Sequence, residues 1–272
     1  MSSAAKTSRV PLILQICLFL SGFCALAYQV SWARYLAKFL GATAPAYTIV
    51  LATFMGGLAA GAWFFGKMAD RSERPLRLYA RLELLVAALC FLFPLLMDLL
   101  GPLYLFLAGP LLDYPLLRFI LRAFLAVSVL AGPSILMGGT LPAATRFYVR
   151  SINQVGAGVG RLYFVNALGA VVGTLVAGFF LIQLIGLHGT FWLAALINAG
   201  IGYWTLRVSR VVDGASACPP ADWIEELETE IEPASTQSPF PAWIATAALV
   251  ATAASGAASM IYEVSWIRIL TL

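Results

Sequence analysis

Two short runs hold most of the side chains able to do chemistry. Residues 21–38 read SGFCALAYQVSWARYLAK, and residues 255–272 read SGAASMIYEVSWIRILTL. Aligned without a gap, Ser21/Ser255, Gly22/Gly256, Tyr28/Tyr262, Val30/Val264, Ser31/Ser265, Trp32/Trp266, Arg34/Arg268 and Leu36/Leu270 are identical. Each run sets polar groups in apolar surroundings: Tyr28, Gln29, Trp32 and Arg34 in the first, Tyr262, Glu263, Trp266 and Arg268 in the second. An ionisable group inside an apolar span marks a functional site by default and calls for a partner. The partners expected for Glu263 are Arg34 or Arg268. If the two runs face each other across a pseudo-two-fold axis, the eight residues line a central cavity. The alternative is that both arginines snorkel to the interface and both tryptophans join an aromatic belt.

Other chemistries find no support in the residues. No nucleophile–base pair is visible, so the chain is not expected to be an enzyme in its own right. Cys17, Cys24, Cys90 and Cys218 show no metal-ligand spacing, and the first three read as small core residues. His188, the single histidine, has no neighbouring ligands and fits a turn before a helix. No metal or cofactor is expected. The run GAGVG ahead of the fifth span has no strand before it, so it lacks the context of a dinucleotide loop.

The elements that position these residues are membrane helices. The 272 residues are 61% hydrophobic and 11% charged, and mean hydropathy is +0.88; a soluble chain carries about 25% charged residues. Apolar runs of about 20 residues read as helical spans. Spans are expected over 11–36, 44–66, 76–100, 116–137 (continuing bent toward Val149), 160–185 and 189–208, with a seventh starting near Pro241. The first is read as retained rather than cleaved, because it continues to Leu40 with no cleavage pattern.

Charge sets orientation. With the N-terminus cytoplasmic, the inner side holds Lys6, Arg9, Lys67, Arg71, Arg74, Arg77, Arg81, Arg146, Arg150, Arg161, Arg207 and Arg210. The outer side holds Arg34, Lys38, Arg118, Arg122 and Arg268. That asymmetry is the positive-inside pattern, and it explains the net charge of +4 without a nucleic-acid partner. The expected location is a bacterial inner membrane.

Between spans, 101–114 is apolar but broken by Pro102, Gly109 and Pro110, and reads as interfacial or re-entrant. Pro133, Gly138, Gly139 and Pro142 are expected to kink the fourth span. Gly169 and Gly173 lie one turn apart and form a small-residue packing seam. Glu83 is expected to pair with Arg81 at the interface, and Asn166, Gln183 and Asn198 to hydrogen-bond between helices. From Asp222 to Glu232 an acidic run with Trp223, Ile224, Leu227 and Ile231 at helical spacing reads as an amphipathic segment. It is either a solvated surface or a dock for a basic partner or polycation.

The loop Gly66-Lys-Met-Ala-Asp70-Arg71-Ser-Glu-Arg74 resembles the loop-2/3 signature of the major facilitator superfamily. Glu73 stands where that signature usually has glycine, and Pro75 where it usually has a basic residue. The resemblance implies that Gly66 lets helices approach closely, that Asp70 interacts with a helix N-terminus, and that Arg71 and Arg74 pair across a cytoplasmic gate. More widely, SGFCALAYQVSWARYL, ATFMGGLAAGAWFFGKMADR and GRLYFVNALGAVVGTLVAGFFLIQLIGLHGT resemble the membrane region of spermidine-synthase-like integral membrane proteins. In these a facilitator-like helical region accompanies an aminopropyltransferase domain. The resemblance implies a polyamine connection, although no aminopropyltransferase sequence is present here.

The expected architecture is all-α: a six-span facilitator-like unit over 1–210, an acidic cytoplasmic linker over 211–240, and the first helix of a second, truncated repeat over 241–272. Three functions fit it. The chain binds or moves a polyamine-related molecule or anchors a synthase, or it carries another solute, or it is a substrate-free accessory subunit of a larger membrane complex. In the first and last cases the segment from Asp222 to Glu232 is the candidate contact with the synthase domain or complex. The lipid bilayer is a partner in every case.

Overall fold

A chain this apolar satisfies its backbone polar groups inside the bilayer by helix formation. The computed structural model describes residues 10–40, 43–111, 113–148, 155–212 and 242–270, and among them there is no strand. The helices are α1 (Val10–Leu40), α2 (Thr43–Asp70), α3 (Pro75–Ala108), α4 (Pro115–Tyr148), α5 (Val155–Val176), α6 (Ile182–Val212) and α7 (Ala242–Leu270). A short 3-10 turn, Gly109–Leu111, follows α3, and a π-turn, Ala177–Leu181, follows α5. Two compact units are present: the first ends at Cys218, and the second, from Pro219, contains α7.

Five stretches are long and apolar enough to cross a membrane, and the last of them, Gly158–Arg210, is 53 residues long. It is two crossings. Gly186 breaks it with φ 73° and ψ −179°, a conformation that glycine adopts without a Cβ penalty. Contacts with α1 show that the chain reverses there. Gly169 and Gly173 of α5 lie against Phe19 and Phe23, so α5 runs parallel to α1. Ala194 and Thr205 of α6 meet Cys24 and Cys17, so α6 runs antiparallel. Thr190 Oγ1 donates to the Gly186 carbonyl at 2.7 Å and closes the new helix start.

Within this unit α1 packs on α5, α6 and α2; α4 packs on α2 and α3; and α3 packs on α6. Exchanging α1–α3 with α4–α6 maps most of these pairs onto one another: α1/α5 becomes α4/α2, α1/α6 becomes α4/α3, and α3/α6 is unchanged, while α1/α2 has only a weak counterpart in α4/α5. The two equivalent seams use glycine in the same way. On one, Gly22 of α1 meets the Asn166 carbonyl, and Gly169 and Gly173 of α5 meet the Phe19 and Phe23 carbonyls. On the other, Gly138 of α4 meets the Leu58 carbonyl, while Gly57 and Gly61 of α2 meet Ser134 and the Ile135 carbonyl. A side chain at any of these positions would strike backbone or a Cβ. Such close approach is how apolar helices associate in lipid.

The outer surface is apolar: Trp63, Phe64, Phe106, Phe124, Phe164, Phe179, Leu184 and Leu196 are all exposed. That is a lipid-facing surface, since water-facing patches of this extent are rare on monomers.

The apolar stretch after position 100 is not a broken loop at its start: α3 continues through Pro102 to Ala108. A proline removes one backbone donor, and in a bundle that single loss is tolerated. At 34 residues α3 is about 51 Å long, more than the hydrocarbon thickness of about 30 Å. α4 is one continuous helix through Pro133, Gly138, Gly139 and Pro142, where the glycines serve the α2 seam.

Candidate functional site

Tyr28 and Trp32, the repeated aromatics of α1, sit in the centre of the first unit. Tyr28 is 1% and Trp32 0% exposed. Tyr28 stacks on Trp32 at 5.9 Å and on Phe191 of α6 at 5.7 Å. Trp32 also meets Phe54 of α2 and Phe93 of α3, and Phe93 stacks on Phe191 at 4.8 Å. Four helices thus meet on these rings. They are core residues here rather than the wall of an open cavity, because the α1 face that carries them is also the face that buries α3 and α6. Gln29 is nearly buried, and its Oε1 has no hydrogen-bond partner.

Arg34 lies on the opposite, exposed side of α1. Its Nη2 donates to the Gly178 carbonyl at 3.3 Å, inside the π-turn Ala177–Leu181, where the regular helical bonding is interrupted. Beside it, Tyr35 meets His188 at 5.6 Å, and His188 meets Trp192 at 6.1 Å. His188 therefore belongs to the turn region between α5 and α6. In the second unit Tyr262 is exposed on α7. The side chains of Glu263, Trp266 and Arg268 lie outside the described residues, and so does the expected pairing of Glu263. The acidic run from Asp222 to Glu232 lies outside them as well.

The α2–α3 turn is tight. Ser72 N donates to the Ala69 carbonyl at 3.1 Å, and Arg74 N to Ser72 Oγ at 3.2 Å. Asp70, Arg71 and Arg74 are exposed on it. Arg74 occupies the N-cap of α3 and makes no side-chain cap. Among the described residues, a Cβ at Gly66 would find Pro142 at an ordinary 3.9 Å. The close approach of α2 to α4 falls at Gly57 and Gly61.

Glu83 does not pair with Arg81. It is 1% exposed, while Arg81 is exposed on the other side of α3; residues two apart on a helix do not share a face. The side chains beside the Glu83 carboxyl are Tyr79 and Ser21, yet neither completes a hydrogen bond, and both carboxyl oxygens are without a partner. Asn198 of α6 is buried too, and its Oδ1 is unpartnered rather than bonded between helices. The signal for this layer was present in the sequence. Cys17, Ser21, Cys24 and Tyr28 recur every three or four residues on α1, and Tyr79, Glu83 and Cys90 follow at intervals of four and seven on α3.

A further pocket of ≈ 180 Å³ is lined by Tyr104, Pro115, Arg118, Phe119 and Arg122. Arg122 lies over the Tyr104 ring at 4.2 Å and donates to the Leu40 carbonyl at 3.4 Å, tying α4 to the end of α1. Among the described residues no group of three His, Cys, Asp or Glu could hold a metal ion.

No family model, curated protein or solved structure matches the chain.

Proposed function

We propose that this chain is the membrane unit of a facilitator-type carrier whose solute is a polyamine-related organic cation. The observation that carries the reading is the exchange pattern of the first unit, in which two three-helix sets make equivalent pairings through equivalent glycine seams. Carriers built from inverted repeats have this organisation, with solute held at the repeat interface. The repeated α1 motif at 255–272 supports a second unit of the same kind. The resemblance to spermidine-synthase-like membrane proteins makes a polyamine the first solute to test.

The test is uptake of radiolabelled spermidine into proteoliposomes containing the full-length protein. Saturable uptake, competed by unlabelled putrescine or spermine, is the expected result. Absence of both uptake and spermidine-dependent thermal stabilisation would overturn the carrier reading. Stoichiometric co-purification with a membrane complex would then favour the accessory role, and with an aminopropyltransferase the role of anchor.

A further inference from the structure

The interior of a membrane bundle is the most costly place for an unpaired ionisable group, and Glu83 occupies it. Its position can be fixed layer by layer. Between α1 and α6, Thr205 Oγ1 donates to Cys17 Sγ at 3.9 Å, and Cys24 Sγ donates to the Ala194 carbonyl at 3.4 Å. Ser21 lies between these contacts on α1, and Asn198 lies between them on α6. Between α3 and α6, Gly202 packs on Ala80 and Leu84, and Phe191 stacks on Phe93. Asn198 falls between those contacts as well, but toward Val86 rather than at the level of Glu83. Glu83 and Tyr79 of α3 and Ser21 of α1 share one layer, and Asn198 lies beyond it.

That layer is rich in oxygen and lacks positive charge. Both Glu83 carboxyl oxygens and the Tyr79 hydroxyl are buried without partners. The ionisable groups facing Glu83 are Cys17, Cys24 and Tyr28 of α1 and Tyr79 of its own helix, with Cys90 farther along α3. Against the same region α2 and α4 place Ala69, Ala143 and Ala144, and α5 places Leu162. None of these is a cation. Buried polar groups in native proteins are nearly always satisfied, and each exception asks for an unseen ion, proton or water. One carboxylate flanked by two hydroxyls suits a single positive charge.

We propose that Glu83, Tyr79 and Ser21 form an internal site for one small monovalent cation, a proton or Na⁺. The carboxylate provides the charge, and the two hydroxyls complete the coordination or hydrogen bonding. Oxygen ligands are what a hard cation of this kind takes. The site is separate from the residues expected to meet solute, and its occupancy is measurable without any transport. Failure of spermidine uptake would leave it standing.

The experiment uses purified full-length protein and its Glu83→Gln variant. In one series Na⁺ replaces choline at constant chloride while thermal stability is followed. In the other, infrared spectra are recorded across pH for the C=O stretch of a protonated carboxyl. A saturable Na⁺-dependent rise in Tm, lost in Glu83→Gln, identifies Na⁺. A carboxylic C=O band present in the wild type, missing in Glu83→Gln, and accompanied by no Na⁺ response identifies the proton. Identical behaviour of the two proteins in both series overturns the site. If Glu83→Gln does not fold, Ser21→Ala and Tyr79→Phe decide. Each should weaken half-saturation by Na⁺ about tenfold, the effect of one lost neutral ligand, or should shift the C=O frequency. Unchanged responses in both overturn the proposal.

Discussion

Trp32 shows what a single residue does in this molecule. Its ring touches Tyr28, Phe54, Phe93 and Phe191, so Trp32→Ala would empty the point where four helices meet. Truncation of a buried Trp costs about 3–5 kcal/mol, and a large fall in Tm in detergent is expected. Arg34→Ala should behave differently. That side chain is exposed and makes one long bond to the Gly178 carbonyl, so the loss is expected to stay below about 1 kcal/mol. A similar fall in Tm for both variants would contradict this division of roles. The repeated Tyr-x-Val-Ser-Trp-x-Arg motif was legible in sequence as a set of special residues. Which of them face inward was not, because that is decided by Phe93 and Phe191, supplied by distant helices. Glu83 was misread for a related reason. Sequence puts Arg81 beside it, but two residues along a helix are rotated by roughly 200°, and the true neighbour on α1, Ser21, is far away in the chain.

Among the elements, glycine position rather than glycine number governs packing. Gly61 and Gly138 hold α2 against α4, and Gly169 and Gly173 hold α5 against α1. Gly61→Val or Gly173→Val is expected to drive the paired backbones apart and lower Tm sharply. Gly56 and Gly200 have nothing within 4 Å of an added Cβ. Gly56→Ala and Gly200→Ala should be neutral or mildly stabilising, since alanine favours a helix over glycine by about 1 kcal/mol. Thermal unfolding of the four variants separates the two classes, and a destabilised Gly56→Ala would show that this face is packed in the assembled protein. Hydropathy alone located the spans, because twenty apolar residues in a row admit little else. It did not locate their ends: Pro102 and Gly109 read as a broken loop, whereas backbone bonding in lipid carries α3 on to Ala108. Gly169 and Gly173 could be picked out by spacing. Gly57 and Gly61 carry the same spacing and were equally legible; their partner Gly138 was not, since α2 and α4 meet only once the whole bundle is assembled.

At the scale of the molecule, helix directions sort the cations into two ends. Parallel α1 and α5, with antiparallel α6, bring Lys67, Arg71, Arg74, Arg77, Arg81, Arg146, Arg161, Arg207 and Arg210 to the end that carries the α2–α3 turn. Arg34, Lys38, Arg118 and Arg122 fall at the other end, which carries the turn at Gly186. Short segments rich in Lys and Arg stay cytoplasmic, so the α2–α3 turn is expected inside and His188 outside. Cys17, Cys24 and Cys90 are buried, which makes single-cysteine labelling practicable in a Cys218→Ser background. A membrane-impermeant maleimide added to intact cells should label His188→Cys at once and Glu73→Cys only after permeabilisation. The reverse order would place the arginine-rich end outside and invert the topology. Equal labelling of both in sealed cells would mean that the α2–α3 turn and the Gly186 turn do not lie on opposite sides of the membrane. That result would remove the crossing pattern on which the carrier reading depends.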